Sequence, residues 1–88
     1  MSTSSEARVR LPKAVALHAR PAGIVVQQAA RFSSAVQLAA NGRCANAKSI
    51  LELLALGAEG GTELVITASG DDAAAAVDEL ATILPQLV

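Results

Sequence analysis

The chain's one histidine, His18, lies in the stretch LHARPAG, two residues before Arg20 and three before Pro21. An apolar run follows in which Ala22, Val25, Val26, Ala29 and Phe32 share a face at helical spacing. With Pro21 suited to a first turn, this predicts a helix from about Arg20 to Phe32. Such a start normally has Ser, Thr, Asp or Asn as its cap, yet Leu17, His18 and Ala19 offer no hydroxyl or carboxylate. The first N–H groups of a helix have no intrahelical partner. Pro21 lacks one, so those of Ala19 and Arg20 remain as donors. Free N–H groups at the positive end of a helix bind anions, and the guanidinium fork of Arg20 suits phosphate oxygens. A neutral imidazole is a nucleophile. The chemistry this allows is a phosphoryl group bonded to His18 and held by Arg20 and by the backbone of Ala19 and Arg20. The dipole contributes about 0.3–2 kcal/mol and a charged hydrogen bond from Arg20 about 1.5–3 kcal/mol. Those modest sums suit a group that is passed on. Spacing alone leaves open an ordinary surface histidine. A metal site would need further His or Cys ligands beside His18.

A second stretch, NAKSILELLALG, sets Ser49 three residues before Glu52, the pattern of a capping box, and stops at Gly57. Within it Ile50, Leu51 and Leu54 cannot all face one core, and at least one of them is expected to pack inside. Phe32 is expected in the core at the end of its helix.

Other elements must position these residues. RVRLP alternates up to Pro12 and reads as a strand exposed on one face. Met1–Ala7 reads as a flexible tail, leaving residues 8–88 as a single domain. AVQLAANGRCANA gives two short runs around Asn41-Gly42, the pair that type I′ hairpin turns prefer. GGTELVITASG is the clearest strand, with Leu64, Ile66 and Ala68 on one face. DDAAAAVDELATILPQLV opens on acidic residues suited to a helix start. It carries Ala73, Val77, Leu80 and Leu84 on one side and ends near Pro85. The order of strand, helix, strand, strand, helix, strand, helix predicts a two-layer α/β sandwich with one sheet face open to solvent.

Composition narrows the function. Of 88 residues 52% are hydrophobic, but Phe32 is the one aromatic, so the core must be built from Val, Ile, Leu and Ala. A net charge of −1 with 17% charged residues argues against a nucleic-acid partner. Cys44 stands alone, which excludes an internal disulfide and fits a reducing compartment. No apolar run is long enough for membrane insertion, and MSTSSEA does not resemble a signal peptide. A cytoplasmic location follows as the expectation, and nothing in the chain asks for a cofactor.

LHARPAGIVVQQAARF closely resembles the active-site segment of the HPr family, the histidine-containing phosphocarriers of the bacterial phosphoenolpyruvate–sugar phosphotransferase system (PTS). NGRCANAKSILELLALGAEGG resembles that family's second signature, and the likeness runs from about Arg8 to Leu84. It implies an α+β open-faced β-sandwich of order βαββαβα, with three helices on one face of a four-stranded antiparallel sheet. It implies that His18 accepts a phosphoryl group on Nδ1 from Enzyme I and hands it to Enzyme IIA domains. Arg20 and the N–H groups of Ala19 and Arg20 would hold that group. The chain would be a monomeric carrier and no enzyme.

The likeness further implies regulatory phosphorylation of Ser49 by an HPr kinase/phosphorylase, which is compatible with a capping role. It also implies a docking patch of Gln27, Ile50, Leu51 and Leu54, and exposed apolar patches commonly mark partner sites. Ala16 stands where relatives commonly have glycine, and Gly23 lowers helix stability. The alternatives are a nitrogen-branch phosphocarrier and a mainly regulatory HPr-like binding module. An acylphosphatase-like enzyme would need a glycine-rich anion loop, and LPKAVALHARP has none.

Overall fold

Strand alternation sorts side chains to two faces of a sheet, and in this chain only one of those faces is apolar. The computed structural model describes residues 3–87. Its elements are β1 (Ser4–Arg10), α1 (Ala19–Ala29), β2 (Ala35–Ala40), β3 (Arg43–Asn46), α2 (Ile50–Leu56), β4 (Glu63–Ser69) and α3 (Ala73–Ile83), then a 3-10 turn at Leu84–Gln86. The four strands pair antiparallel in the order β1-β4-β2-β3. Leu64, Ile66 and Ala68 of β4 face the core beside Val36 and Leu38 of β2 and Ala45 of β3. The register places Ile66 between Ala7 and Leu38.

Helices cover this face alone. The helix α1 buries Pro21, Ala22, Val25 and Ala29, α2 buries Leu53 and Leu56, and α3 buries Ala73, Ala76, Val77 and Leu80. On the other face Arg8 and Arg10 lie 3.5–4.0 Å from Glu6 and Glu63 as exposed ion pairs, which contribute little to stability. This is the two-layer sandwich with one open sheet face that the element order predicts, and the α+β open-faced β-sandwich that the resemblance implies.

Three local details differ from the sequence expectation. Residues Ser4–Ala7, expected within a tail over 1–7, pair with Ser69–Ile66 of β4. Their side chains give almost no strand signal, and the unpaired edge of β4 supplies the ladder instead. Met1, Ser2 and Val88 lie outside the described residues. The helix α1 stops at Ala29 instead of Phe32. Arg31 N–H donates to Gln28 O and Phe32 N–H to Ala29 O, a tighter three-residue reach, so a half-buried Phe32 packs against the core from a turn.

The third detail is Asp72. It occupies the N-cap position of α3 but makes no side-chain cap bond. Its carboxylate reaches the α1–β2 turn and accepts from Ser33 N–H at 2.8 Å, Ser34 N–H at 2.9 Å and the Ser34 hydroxyl. Ser34 is buried, and Gly70 makes room for it: a Cβ on Gly70 would lie 2.5 Å from Ser34 Oγ. The Asn41-Gly42 turn has φ of 54° and 77°, as a type I′ hairpin requires.

The Ser34 hydroxyl foremost, then Ser33 N–H, lower the Asp72 pKa from the ordinary 3.8 to about 2. The unfolded chain therefore binds this proton first, and folding stability falls as pH drops from about 3.8 through about 2. Denaturant unfolding on both sides of that window is expected to show this acid loss in the wild type. The slope should be smaller in Asp72→Asn, and an unchanged slope would show that the carboxylate contributes nothing.

Candidate functional site

The start of α1 is pinned from below and open above. Leu17 is 2% exposed, and its N–H donates to Ala58 O at 2.9 Å. Pro21 and Ala22 are buried four and five residues later, so the exposed His18, Ala19 and Arg20 are held between anchored neighbours. His18 is the N-cap residue, with extended backbone (φ −84°, ψ −171°) and no side-chain cap bond. Its carbonyl accepts Ala22 N–H at 2.9 Å, and its own N–H donates to Ala16 O at 2.8 Å. Among the described residues the N–H groups of Ala19 and Arg20 have no partner, and neither side chain of His18 and Arg20 is hydrogen-bonded or ion-paired. Ala16 is free of backbone strain, because Asn41 is the one described non-glycine residue with positive φ. This geometry can receive an anion at an imidazole.

The second helix presents an apolar crest beside it. Leu51 is 76% exposed, and Ile50 and Leu54 are 40% exposed. The expectation that at least one of these three packs in the core is corrected: α2 buries Leu53 and Leu56 instead. A run such as ILELLAL offers too many apolar positions for periodicity to choose the inner face. Gly23 and Ile50 adjoin, since a Cβ on Gly23 would lie 3.9 Å from Ile50 Cδ1. Arg20, Gly23 and Gln27 follow at i, i+3 and i+7, one stripe of α1. Thus Ile50 borders the stripe of α1 that runs from Arg20 through Gly23 to Gln27, and Leu51 and Leu54 are exposed on the same helix as Ile50.

Ser49 is the N-cap of α2, and its Oγ accepts Glu52 N–H at 3.3 Å. The reciprocal half of the expected capping box is absent. Ser49 N–H already donates to Asn46 O, so the Glu52 carboxylate takes Asn46 N–H at 3.0 Å. Asn46 Oδ1 accepts Lys48 N–H, and Lys48 Nζ donates to Phe32 O at 2.7 Å. These links tie the end of β3 to both helices. Neither they nor Asp72 can be found from spacing, because their partners lie in other turns.

Among the described residues no group of three His, Cys, Asp or Glu side chains is placed to hold a metal. No helix there is long and apolar enough to cross a membrane. A concavity of about 430 Å³ lies toward one end of the sheet, across β1, β4 and β2, among Ser4, Glu6, Gln37 and Thr67, and no histidine lines it.

Residues 5–86 match the family model described as the PTS HPr component phosphorylation site. The chain belongs to the HPr family. It is 41% identical over 66 residues to the phosphocarrier protein HPr of Mycoplasma capricolum, covering 75% of this chain and 74% of that one. The crystal structure of an HPr from Bacillus anthracis superposes with a TM-score of 0.86 at 34% identity, covering 92% of this chain and 96% of the other. The HPr-like protein Crh of Bacillus subtilis is 43% identical over 72 residues, 82% of this chain and 85% of Crh. HPr-family members of the PTS are phosphocarriers and not catalysts in themselves.

Two substitutions are expected to move stability in opposite directions. Gly23→Ala adds a helix-favouring methyl at ordinary contact distance from Ile50 and raises stability by about 0.5–1 kcal/mol. Ser49→Ala removes a cap and lowers it by about 0.5–2 kcal/mol. Urea midpoints at constant m-value read both.

Proposed function

We propose that the protein is a phosphocarrier in which His18 receives the phosphoryl group of phospho-Enzyme I and delivers it to Enzyme IIA domains. The observation that carries this reading is the exposed imidazole at an uncapped helix start with two unpartnered N–H groups, in a chain of the HPr family. The Nδ1 lone pair attacks phosphorus, and the phosphorus–nitrogen bond of the donor breaks with its electron pair returning to the donor imidazole. Arg20 and the N–H groups of Ala19 and Arg20 take up the oxygen charge. Delivery is the same step with the roles exchanged, so no cofactor enters. Gln27, Ile50, Leu51 and Leu54 form the docking patch, and the carrier works as a monomer in the cytoplasm, where a free exposed Cys44 is stable.

Incubation with phosphoenolpyruvate and Enzyme I is expected to give an acid-labile phosphate that is lost in His18→Ala. In Arg20→Ala transfer slows by about tenfold or more, the worth of a charged hydrogen bond. Label retained in His18→Ala overturns the reading.

A second role, regulation through Ser49, is favoured by the likeness to Crh and by the place of Ser49 at the foot of the apolar crest. A phosphoserine there adds roughly −1.5 to −2 charges beside the patch without opposing the helix dipole. An HPr kinase with ATP is expected to give an acid-stable phosphate that Ser49→Ala abolishes. No label on the wild type leaves Ser49 a cap alone.

A further inference from the structure

The segment that leads to His18, residues 11–17, rests on the loop that joins α2 to β4. Both of its ends are bonded there. Leu11 N–H donates to Thr62 O at 3.0 Å, and Leu11 O accepts Gly61 N–H at 3.1 Å. Leu17 N–H donates to Ala58 O at 2.9 Å, one residue before His18. Between these ends Val15 N–H donates to Pro12 O at 3.0 Å, closing a turn with Lys13 and Ala14 exposed at its apex.

Gly60 lies against that turn. A Cβ on it would overlap the Lys13 carbonyl oxygen, 2.6 Å from the carbonyl carbon, and would lie 3.1 Å from Pro12 O. Gly57 and Gly61 have positive φ, 68° and 82°, and Gly60 does not. Its backbone conformation is thus open to other residues, and glycine is required at 60 by space alone. The obstacle is main chain, which cannot rotate aside as a side chain would. A methyl group at 60 must lift the Pro12–Val15 turn, and Leu17 follows two residues later.

We infer that Gly60 is a positioning residue for phosphoryl transfer at His18, a role that rests on the carrier reading. Its missing side chain lets the turn seat on the α2–β4 loop, and the seated turn fixes where Leu17 ends and the imidazole begins. His18 makes no side-chain cap bond, so its placement comes from the backbone on either side. The imidazole and the N–H groups of Ala19 and Arg20 must meet one phosphoryl group, and a small displacement of either lowers the rate.

Transfer from phosphorylated Enzyme I is measured against carrier concentration for the wild type, Gly60→Ala, Glu59→Ala and Ala14→Gly, with amide hydrogen exchange on the same proteins. In Gly60→Ala the maximal rate is expected to fall about tenfold while KM stays within about twofold. The Leu17 amide is expected to exchange faster while that of Ile66 in β4 changes less. A purely structural role predicts that both amides accelerate together and that the folded protein keeps its maximal rate. Glu59→Ala adds no bulk and is expected to match the wild type. Ala14→Gly loosens the turn without filling the space at 60 and is expected to lower the maximal rate about threefold. Should Gly60→Ala fail to fold, Ala14→Gly decides. Wild-type maximal rates in the folded variants overturn the inference and leave the carrier reading intact. Failure of the wild type to acquire an acid-labile phosphate overturns both.

Discussion

Among the described residues the core is built from aliphatic side chains, nine of its 22 buried apolar residues being alanine. Ala22, Ala29, Ala45, Ala47, Ala73 and Ala76 are all essentially inaccessible, and the large core side chains are aliphatic. Where alanine lies between two elements, close packing requires their backbones to approach. Close approach lets α1 and α2 meet where Gly23 faces Ile50. It also leaves little tolerance for movement, since a small layer of Ala, Val and Leu has few alternative packings of equal density.

Polar side chains join the turns that such a core cannot reach. Asp72 binds the two N–H groups that follow α1, Glu52 binds the N–H that ends β3, and Lys48 binds Phe32 O. Each takes a backbone group that the adjoining helix or strand leaves unpaired. The start of α1 has no such partner, although the buried Leu17 and Pro21 hold it on either side. A rigid but unsatisfied set of donors can stabilise an incoming anion without prior rearrangement. Because both donors and Arg20 are exposed, that stabilisation stays modest. A group that must leave again requires such a balance.

The uncapped, exposed start at His18 and Arg20 was legible because it depends on local features: a missing cap, a proline in the first turn and a guanidinium two residues on. The strand faces were legible for a similar reason, since Leu64, Ile66 and Ala68 alternate with polar neighbours. The extent of β1 was not. Ser4–Ala7 are held by β4, and nothing in their own side chains announces a strand. The core side of α2 was equally hidden, because leucine occupies inward and outward positions alike.

By itself the sequence determined the order of elements, the apolar face of each strand, the uncapped start of α1 and the chemistry open to its histidine. These depend on side-chain type and on the periods of helix and strand. Tertiary structure alone decided which leucines of α2 are exposed, that β1 pairs with β4, and that Asp72 and Glu52 serve distant turns. Contacts between residues far apart in the chain carry no local signature. They exist only after the layers have packed, when each polar side chain meets whichever backbone group the fold has left within its reach.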